Sequence, residues 1–298
     1  MRRGFTLIEM IFVVVISSAL ALGSFKALQA LFLRSAKAKA ITDMTLRSQI
    51  VLDQLGVMLY NRIPNSVIGY TPGGSCEAIT ELTQSHPILE WMGTMEDELL
   101  LRQYDGYINM GDSNKTTKIL SAPNISASLN SSDVNLIFSG SLDAGSDETY
   151  SACNNAFGWH ANASNLSYDV TITNNQIEIT DATQPQFIYE KYYLTNTAYA
   201  VARGKELKNE AGCTSFNNYN TSLLQNRGKD TTDTTLFLLY NYQPFNGETF
   251  CDGNISVLAE NVNAFRAEYV NNTLRLSIDM NQTIVNSMVR ISKEKVVF

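Results

Sequence analysis

The chain has 298 residues, which is enough for one sizeable domain with an appendage. Its hydrophobic content of 44% excludes a mostly disordered chain, and its charged content of 17% lies below the average of about 25% for globular proteins. A net charge of −7 argues against nucleic acid as the main ligand, because phosphate binding needs a basic surface.

An apolar segment begins close to the N-terminus. No charged residue occurs from Met10 to Phe25, and Arg2 and Arg3 precede the segment. The positive-inside bias places these two arginines on the cytoplasmic side of a membrane. The pattern is typical of a secretory signal peptide, of a membrane anchor, or of a short leader that precedes an anchor.

Two features disfavour an ordinary signal peptide, although the small residues Ala19 and Ala21 fit its cleavage rule. Glu9 lies near the start of the apolar run, where an ionisable group costs roughly 2.5–3.5 kcal/mol at membrane depth. Helical character also continues well beyond Ala21, which a discarded leader does not require. The two features therefore favour retention of residues 5–21 in the mature protein.

The heptapeptide RGFTLIE at residues 3–9 resembles the prepilin cleavage motif of type IV pilins and type II secretion pseudopilins. The resemblance implies cleavage between Gly4 and Phe5 by a membrane prepilin peptidase, followed by N-methylation of Phe5. Glu9 is expected to lack a partner within its own helix, and a buried carboxylate needs one. The resemblance supplies it: the N-terminal amine of a neighbouring subunit during assembly.

A long helix is predicted to continue past the membrane, because no proline occurs before Pro64. A helix from Phe5 to Asn61 would be about 85 Å long, against about 30 Å of hydrocarbon in a bilayer. Its first half is expected to span the bilayer and its second half to pack under a head, with bends at Gly23 and Gly56. The packed half has an apolar seam at three- and four-residue steps: Ile41, Met44, Ser48, Val51, Leu55 and Met58.

Three segments are predicted along the chain. They are a leader at residues 1–4, the long helix at 5–62, and a globular head at 63–298 with a loop-rich insertion around 76–165. The expected fold class is α+β, with the N-terminal helix packed against an antiparallel β-sheet head as in pilins.

Alternating apolar residues predict the strands of the head. Paired asparagines flanked by such alternation indicate hairpins at Asp169–Ile179 and at Phe265–Met280. A sheet laid on the helix would leave Arg266, Glu268, Arg275 and Asp279 on its outer face. Further strands are predicted at Phe187–Tyr193, Leu236–Tyr242 and Met288–Val297.

The segment Val257–Val262, with the strand that follows it, resembles the C-terminal sheet of the larger minor pilins, the PilW or J-type pseudopilin group. Glu9 disfavours the K-type tip pseudopilins, which typically lack an acidic residue there. The resemblance implies a minor subunit at or near a filament tip. It also implies a single inner-membrane span with a periplasmic head. The implied partners are other pilins or pseudopilins, prepilin peptidase and an inner-membrane assembly platform.

Four cysteines, none in a CxxC pair, disfavour a zinc site and predict up to two disulfides in an exported chain. Three pairings are possible. Cys213–Cys251 is favoured, because both residues lie in Gly/Asn-rich, turn-forming sequence. The alternative is four free buried thiols.

No catalytic motif occurs, and His86 and His160 lack a second ligand at metal-binding spacing. The sequence therefore predicts neither an enzyme nor a cofactor. A Gly/Ser loop with Asp143, Asp147 and Glu148 is a weak calcium candidate, and a solvated acidic loop is the alternative.

A rival interpretation is an exported binding protein or adhesin, released after Ala21 or held by an uncleaved anchor. The aromatic residues around Trp159 and in Tyr240–Phe245 would then form its ligand surface.

Overall fold

The N-terminal helix is the longest element of the chain. The computed structural model describes residues 6–79, 82, 86–129, 133–141, 150–182, 184–210, 212–227, 231–271, 273–285 and 287–297. Within them the α-helices are α1 Leu7–Tyr60, α2 Glu96–Leu100, α3 Gly204–Lys208 and α4 Thr214–Arg227.

Three antiparallel sheets make up the head. Its strands are β1 Ile68–Thr71, β2 Ser75–Ala78, β3 Ile88–Gly93, β4 Asn109–Asn114, β5 Ile119–Ser121, β6 Asn135–Phe138, β7 Tyr168–Thr173, β8 Gln176–Ile179, β9 Tyr192–Thr195, β10 Thr197–Arg203, β11 Leu236–Tyr242, β12 Asn254–Ala259, β13 Val262–Val270, β14 Thr273–Ile284 and β15 Ser287–Val297.

Helix α1 is continuous over 54 residues, about 80 Å at 1.5 Å per residue. It runs without interruption through Gly23 and Gly56. A Cβ atom at Gly56 would lie 2.8 Å from Cε of Lys295. The glycine thus admits a close side chain from β15, whose amine lies 2.6 Å from Asp53 Oδ1.

The buried face of α1 matches the predicted seam in its middle and departs from it at both ends. Met44, Ser48, Val51 and Leu55 are buried as predicted, but Ile41 is 45% exposed. The head therefore covers an arc of the helix that differs slightly from the one predicted by regular three- and four-residue steps. The buried residues of α1 are Ala40, Met44, Ser48, Val51, Leu52, Leu55 and Leu59.

The C-terminal sheet β13–β14–β15 packs on this face of the helix. Strand β14 alternates buried residues with partly exposed ones, because successive side chains point to opposite faces. The predicted outer residues form two ion pairs: Arg266 with Asp279 at 2.9 Å, and Arg275 with Glu268 at 3.5 Å. Each fully buried aliphatic side chain on the inner face contributes about 1.5–3 kcal/mol.

A six-stranded sheet of order β12-β11-β10-β3-β1-β2 forms the centre of the head. Strand β3 is buried throughout, with one face towards α1 and the other towards irregular covering segments. Strand β11 spans the predicted residues 236–242.

A second six-stranded sheet, of order β4-β5-β8-β7-β6-β9, has an apolar core of its own. All six strands lie in sequence between β3 and β10, which pair directly with Thr197 opposite Gly93. The insertion therefore spans residues 94–196 rather than 76–165. The difference arises because β2 and β3 belong to the central sheet, whereas the hairpin β7–β8 belongs to the insertion.

The strand predicted at Phe187–Tyr193 is wrong over most of its length, since the observed strand begins at Tyr192. Phe187 is 49% exposed, and Tyr189 packs against the ring of Phe138. Aromatic content marks side-chain packing here rather than a strand.

Candidate functional site

The start of α1 contains a capping box formed by Thr6 and Glu9. Oγ1 of Thr6 accepts a hydrogen bond from the Glu9 amide at 3.4 Å, and Oε2 of Glu9 accepts from the Thr6 amide at 3.3 Å. The Thr6 hydroxyl also donates to Oε2, at 3.1 Å. An N-cap of this kind stabilises a helix by about 1 kcal/mol.

The expectation that Glu9 has no partner within its own helix is therefore wrong. The carboxylate lies three residues after the cap, where it reaches back to the amide and hydroxyl of Thr6 and meets the positive end of the helix dipole. Gly4 and Phe5, the predicted cleavage and methylation residues, lie outside the described residues.

The first half of α1 is exposed along its whole circumference, from Leu7 to Phe32. Among the described residues α1 is the one helix long and apolar enough to cross a membrane. The most apolar part of α1 has a mean hydropathy of 2.2 and buries none of its residues. An apolar surface of this extent marks a contact with lipid or with other proteins.

Two disulfides close loops in the head. Cys213 bonds to Cys251, the pair favoured from the sequence, and Cys76 bonds to Cys153. They join α4 to the segment before β12, and β2 to the π-helical turn Ala152–Ala156. Loops of 38 and 77 residues correspond to about 4 kcal/mol of stabilisation each by chain entropy. Such bonds form in an oxidising compartment.

A group of buried and half-buried polar side chains lies at the opposite face of β3 from α1. Glu90 is 1% exposed; its Oε2 accepts from the Tyr242 hydroxyl at 2.9 Å, and its Oε1 lies 2.9 Å from Nε2 of His160. The His160 ring stacks on Tyr70, with centroids 3.9 Å apart, and the Tyr70 hydroxyl donates to Glu210 at 3.2 Å. We call these five residues the polar centre.

Charges within the polar centre shift the pKa values of its members. Burial lowers the pKa of His160, but the carboxylates of Glu90 and Glu210 outweigh it and raise that pKa above its usual value. Burial, with Glu210, raises the pKa of Tyr70 to about 12. Burial and Glu90 hold the pKa of Tyr242 well above its ordinary value. When it is protonated, His160 balances the charge of Glu90, which alone would cost several kcal/mol to bury.

The backbone that carries His160 has an unusual conformation. His160 and Ala161 have positive φ angles of 54° and 61°, and Gly158 has a φ of 82°. The carbonyl of Pro244 leaves no space for a Cβ atom at Gly158. Packing against the central sheet thus fixes a conformation that brings the imidazole to Glu90.

His86 lies in a second, separate pair. Its Nε2 lies 3.0 Å from Oε2 of Glu77, and its Nδ1 lies 3.0 Å from the hydroxyl of Thr71. From the sequence both histidines were considered only as metal ligands. Their glutamate partners, Glu77 and Glu90, were not predicted. One signal was available for the polar centre: Glu90 is the only charged residue in the apolar run Ile88–Gly93.

The described residues contain no group of three His, Cys, Asp or Glu side chains placed to hold a metal ion. The candidate calcium residues Asp143, Asp147 and Glu148 lie outside the described residues.

The proposed aromatic ligand surface is contradicted by burial. Trp159, Tyr242 and Phe245 are all buried, and the Trp159 and Tyr242 rings contact each other with centroids 6.4 Å apart. Tyr242 belongs to the central sheet, Trp159 packs on it, and none of the three side chains is available to a ligand.

Residues 1–25 match the family model described as the prokaryotic N-terminal methylation motif. This segment includes the predicted leader, the capping box and the start of the exposed apolar helix. No curated protein and no solved structure matches the chain.

The methylation motif, the long apolar helix and the antiparallel head confirm the resemblance to pilins and the predicted α+β fold. The motif implies processing by prepilin peptidase and assembly with other pilins. The apolar helix agrees with anchoring in a membrane. This chain therefore carries the N-terminal methylation motif that is typical of type IV pilin-like proteins.

Proposed function

We propose that the chain is a minor subunit of a type IV pilus or a type II secretion pseudopilus, assembled at or near the filament tip. The observation that carries this proposal is the fully exposed apolar half of α1. It begins at the capping box of Thr6 and Glu9 and leads to a disulfide-bonded head. The role is structural rather than catalytic.

The head is proposed to lie in the periplasm, with α1 as a single span of the inner membrane. Arg2 and Arg3 precede the apolar run and favour a cytoplasmic N-terminus. The bonds Cys76–Cys153 and Cys213–Cys251 support an oxidising location for the head.

The size of the head supports a minor role near the tip. Residues 94–196 add a second six-stranded sheet to a head that already contains two sheets. A subunit that repeats throughout a filament needs room for neighbours on every side, and a bulky insertion restricts that room. At the tip, fewer neighbours surround the head.

Assembly would use Glu9 as a charged partner for the N-terminal amine of a neighbouring subunit, with the inner-membrane assembly platform lifting the chain from the bilayer. Both described contacts of the carboxylate use Oε2. Pairing with an amine therefore does not require the capping box to break.

The test is intact mass and N-terminal sequencing of protein extracted from membranes, combined with its recovery in a sheared filament or pseudopilus fraction. The expected mature chain begins at an N-methylated Phe5. A chain that begins at Leu22, or an unprocessed Met1, would contradict the proposal. A deletion strain is expected to make fewer filaments or secrete less.

A further inference from the structure

The sequence contains nine triplets in which Asn is followed two positions later by Ser or Thr. Such a triplet is the acceptor for N-linked glycosylation when it lies at the surface of an exported chain. The extended acceptor of some bacterial glycosylation systems also has an acidic residue two positions before the Asn. Three of the nine triplets have Asp at that position: those of Asn114, Asn254 and Asn281.

The triplet of Asn281 is held inside a sheet. Asn281 lies opposite Arg290 in β14, the central strand of the C-terminal sheet, and its amide donates to the Asn261 carbonyl at 3.0 Å. The acidic residue before it, Asp279, is paired with Arg266. A transferase has to draw the acceptor segment into its own active site, and at Asn281 this requires the sheet to open.

The triplet of Asn254 is exposed, but the chain before it is fixed. Asn254 is the first residue of β12 and lies opposite Tyr240 of β11. Its acidic residue, Asp252, accepts hydrogen bonds from the amide and the hydroxyl of Thr249 at 2.8 and 3.0 Å. Cys251, one residue earlier, is held by its disulfide. This triplet cannot leave the surface of the head unless strand pairing is lost.

The triplet of Asn114 lies in a turn at the edge of the insertion. Asn114 is the last residue of β4, an edge strand, and the chain turns at 115–118 before it enters β5. Asp112, Asn114 and Thr116 are all exposed. The pairing of β4 with β5 is irregular between Asn109 and Asn114. The acidic residue of this triplet therefore lies in a part of β4 that is loosely held.

Side-chain contacts at the surface join this turn to the rest of the insertion. Nζ of Lys115 donates to the Gln186 carbonyl at 2.7 Å, and the side-chain amide of Gln184 donates to the Thr116 carbonyl at 3.4 Å. Both contacts are exposed, so water can replace them at small cost. The turn can thus enter an active site while the insertion stays folded.

The carboxamide of Asn114 presents its nitrogen to solvent. Its Oδ1 accepts hydrogen bonds from the amides of Thr116 and Thr117 at 2.8 and 3.3 Å. Among the described residues neither Nδ2 of Asn114 nor the hydroxyl of Thr116 has a hydrogen-bond partner. A carboxamide nitrogen is a weak nucleophile, because its lone pair is delocalised onto the oxygen. The two amide donors stabilise the negative charge that Oδ1 gains as Nδ2 loses a proton.

We propose that Asn114 is a site of N-linked glycosylation, recognised together with Asp112 and Thr116, and that the fold withholds the triplets of Asn254 and Asn281. The donor is an oligosaccharide linked through a diphosphate to a lipid. A bond forms between Nδ2 and the anomeric carbon of the sugar, and the bond from that carbon to the diphosphate oxygen breaks. One proton of Nδ2 passes to the lipid diphosphate that leaves.

The inference rests on the proposed function in one respect: the head must lie in the periplasm, where the transferase and its donor meet exported chains. It adds a role for the modification. Strand β4 is the free edge of the insertion sheet, and an exposed edge is a template for pairing with another chain. A bulky hydrophilic glycan at the end of β4 covers this edge.

The test is intact mass and peptide mapping of the full-length chain extracted from the membranes of its native cells. The parent chain is expected to carry an oligosaccharide on the peptide that contains Asn114. Asn114→Gln is expected to remove the added mass completely, and the matched variant Asn281→Gln is expected to retain it. Thr116→Ala keeps Asn114 and its turn, and it is also expected to remove the added mass.

Asp112→Asn tests the acidic residue, because it leaves the triplet itself intact. This variant is expected to lose the oligosaccharide as Asn114→Gln does. An unmodified parent chain, an added mass that persists in Asn114→Gln, or an oligosaccharide that persists in Asp112→Asn would each overturn the inference.

A second measurement tests the selection by the fold. The folded chain, purified in detergent with its disulfides intact, is incubated with a bacterial oligosaccharyltransferase and a lipid-linked oligosaccharide. Synthetic peptides of residues 110–118, 250–258 and 277–285 are the controls. All three peptides are expected to be modified, whereas the folded chain is expected to be modified at Asn114 alone. Modification of the folded chain at all three triplets would contradict the selection.

The proposed function is decided separately by the first residue of the mature chain, which the same peptide map reports. A chain that begins at N-methylated Phe5 without an oligosaccharide refutes the glycosylation and leaves the filament role standing. A glycosylated chain that begins at Met1 or Leu22 refutes the filament role and supports the glycosylation.

Discussion

The two faces of the central sheet are held by different interactions. Along β3, Leu89 and Trp91 belong to the apolar core shared with α1, and we call this the helix side. Glu90 points to the other face, the loop side, which holds the polar centre and both disulfides. One strand thus separates an apolar interface from one in which the apolar core also contains a polar centre and two disulfides.

The difference follows from what covers each face. A helix and a sheet satisfy their own backbone groups and present continuous apolar surfaces, so area is enough to hold them together. Irregular segments such as Ala152–Ala161 have no such regular partner, and their polar groups need specific bonds. Disulfides and buried pairs fulfil that need on the loop side.

Reduction of both disulfides is expected to have the largest effect, because it destabilises the loop side much more than the helix side. Each bond accounts for about 4 kcal/mol, and both lie on the loop side. The chain has two tryptophans, one on each side: Trp91 on the helix side and Trp159 on the loop side. After reduction, the fluorescence of Trp159 should report unfolding at lower denaturant than that of Trp91.

The measurement uses full-length protein in detergent, with Trp91→Phe and Trp159→Phe variants that isolate each signal. In the oxidised protein the two transitions are expected to coincide. Coincident transitions after reduction would show that the disulfides do not stabilise the loop side more than the helix side.

On the helix side, Leu55→Ala should cost about 3 kcal/mol of unfolding free energy, because Leu55 is fully buried and its loss leaves a cavity. Val57→Ala, at an exposed position on the same helix, should stay within about 0.5 kcal/mol. Denaturant titration of the full-length chain, followed by the fluorescence of Trp91, checks both values. Equal costs would mean that the burial of Leu55 does not stabilise the helix side.

On the loop side, Glu90→Gln should lower the pKa of His160, since burial then acts without the neighbouring carboxylate that raises it. The raised pKa stabilises the folded head below the unfolded value of 6.5, and this contribution is lost as pH rises through the higher folded value. The stability difference between the parent chain and Glu90→Gln should therefore narrow as pH rises.

Nuclear magnetic resonance can follow both imidazoles directly, because the chain has two histidines. His86 is paired with Glu77, away from Glu90, so its signal serves as the internal reference. An unchanged titration of His160 in the Glu90→Gln variant would refute the pairing.

The smallest effect is expected at the outer face of the C-terminal sheet. Asp279→Asn removes an ion pair with Arg266 that is partly exposed to solvent. Such pairs contribute about 0–1 kcal/mol, so the midpoint of denaturation should hardly move. A loss similar to that of Leu55→Ala would show that surface charge, rather than apolar area, holds the helix side.

The helix side could be predicted from the sequence in some detail. Its signals are local: the three- and four-residue steps of Met44 to Leu55, and the alternation around Asn271 that forms β13 and β14. A reader of the sequence needs only neighbouring residues to recognise them.

Apart from the Cys213–Cys251 bond, the loop side could not be predicted, because its contacts join distant residues. Tyr242 reaches Glu90 across 152 positions, and β10 pairs with β3 across the whole insertion. No local pattern encodes such distances. The capping box of Thr6 and Glu9 was not predicted for another reason. The cleavage motif suggests a partner for Glu9 on another chain, although the Thr6–Glu9 spacing is itself a local signal of a capping box.

The connectivity of the disulfides has a consequence for biogenesis. Cys76 bonds to the next cysteine along the chain, Cys153, and Cys213 bonds to the next after that, Cys251. With the head in the periplasm, as proposed, the thiols emerge from the N-terminal anchor in this same order. An oxidase that joins each pair as it appears therefore yields the native bonds. The head is then expected to mature without a disulfide isomerase.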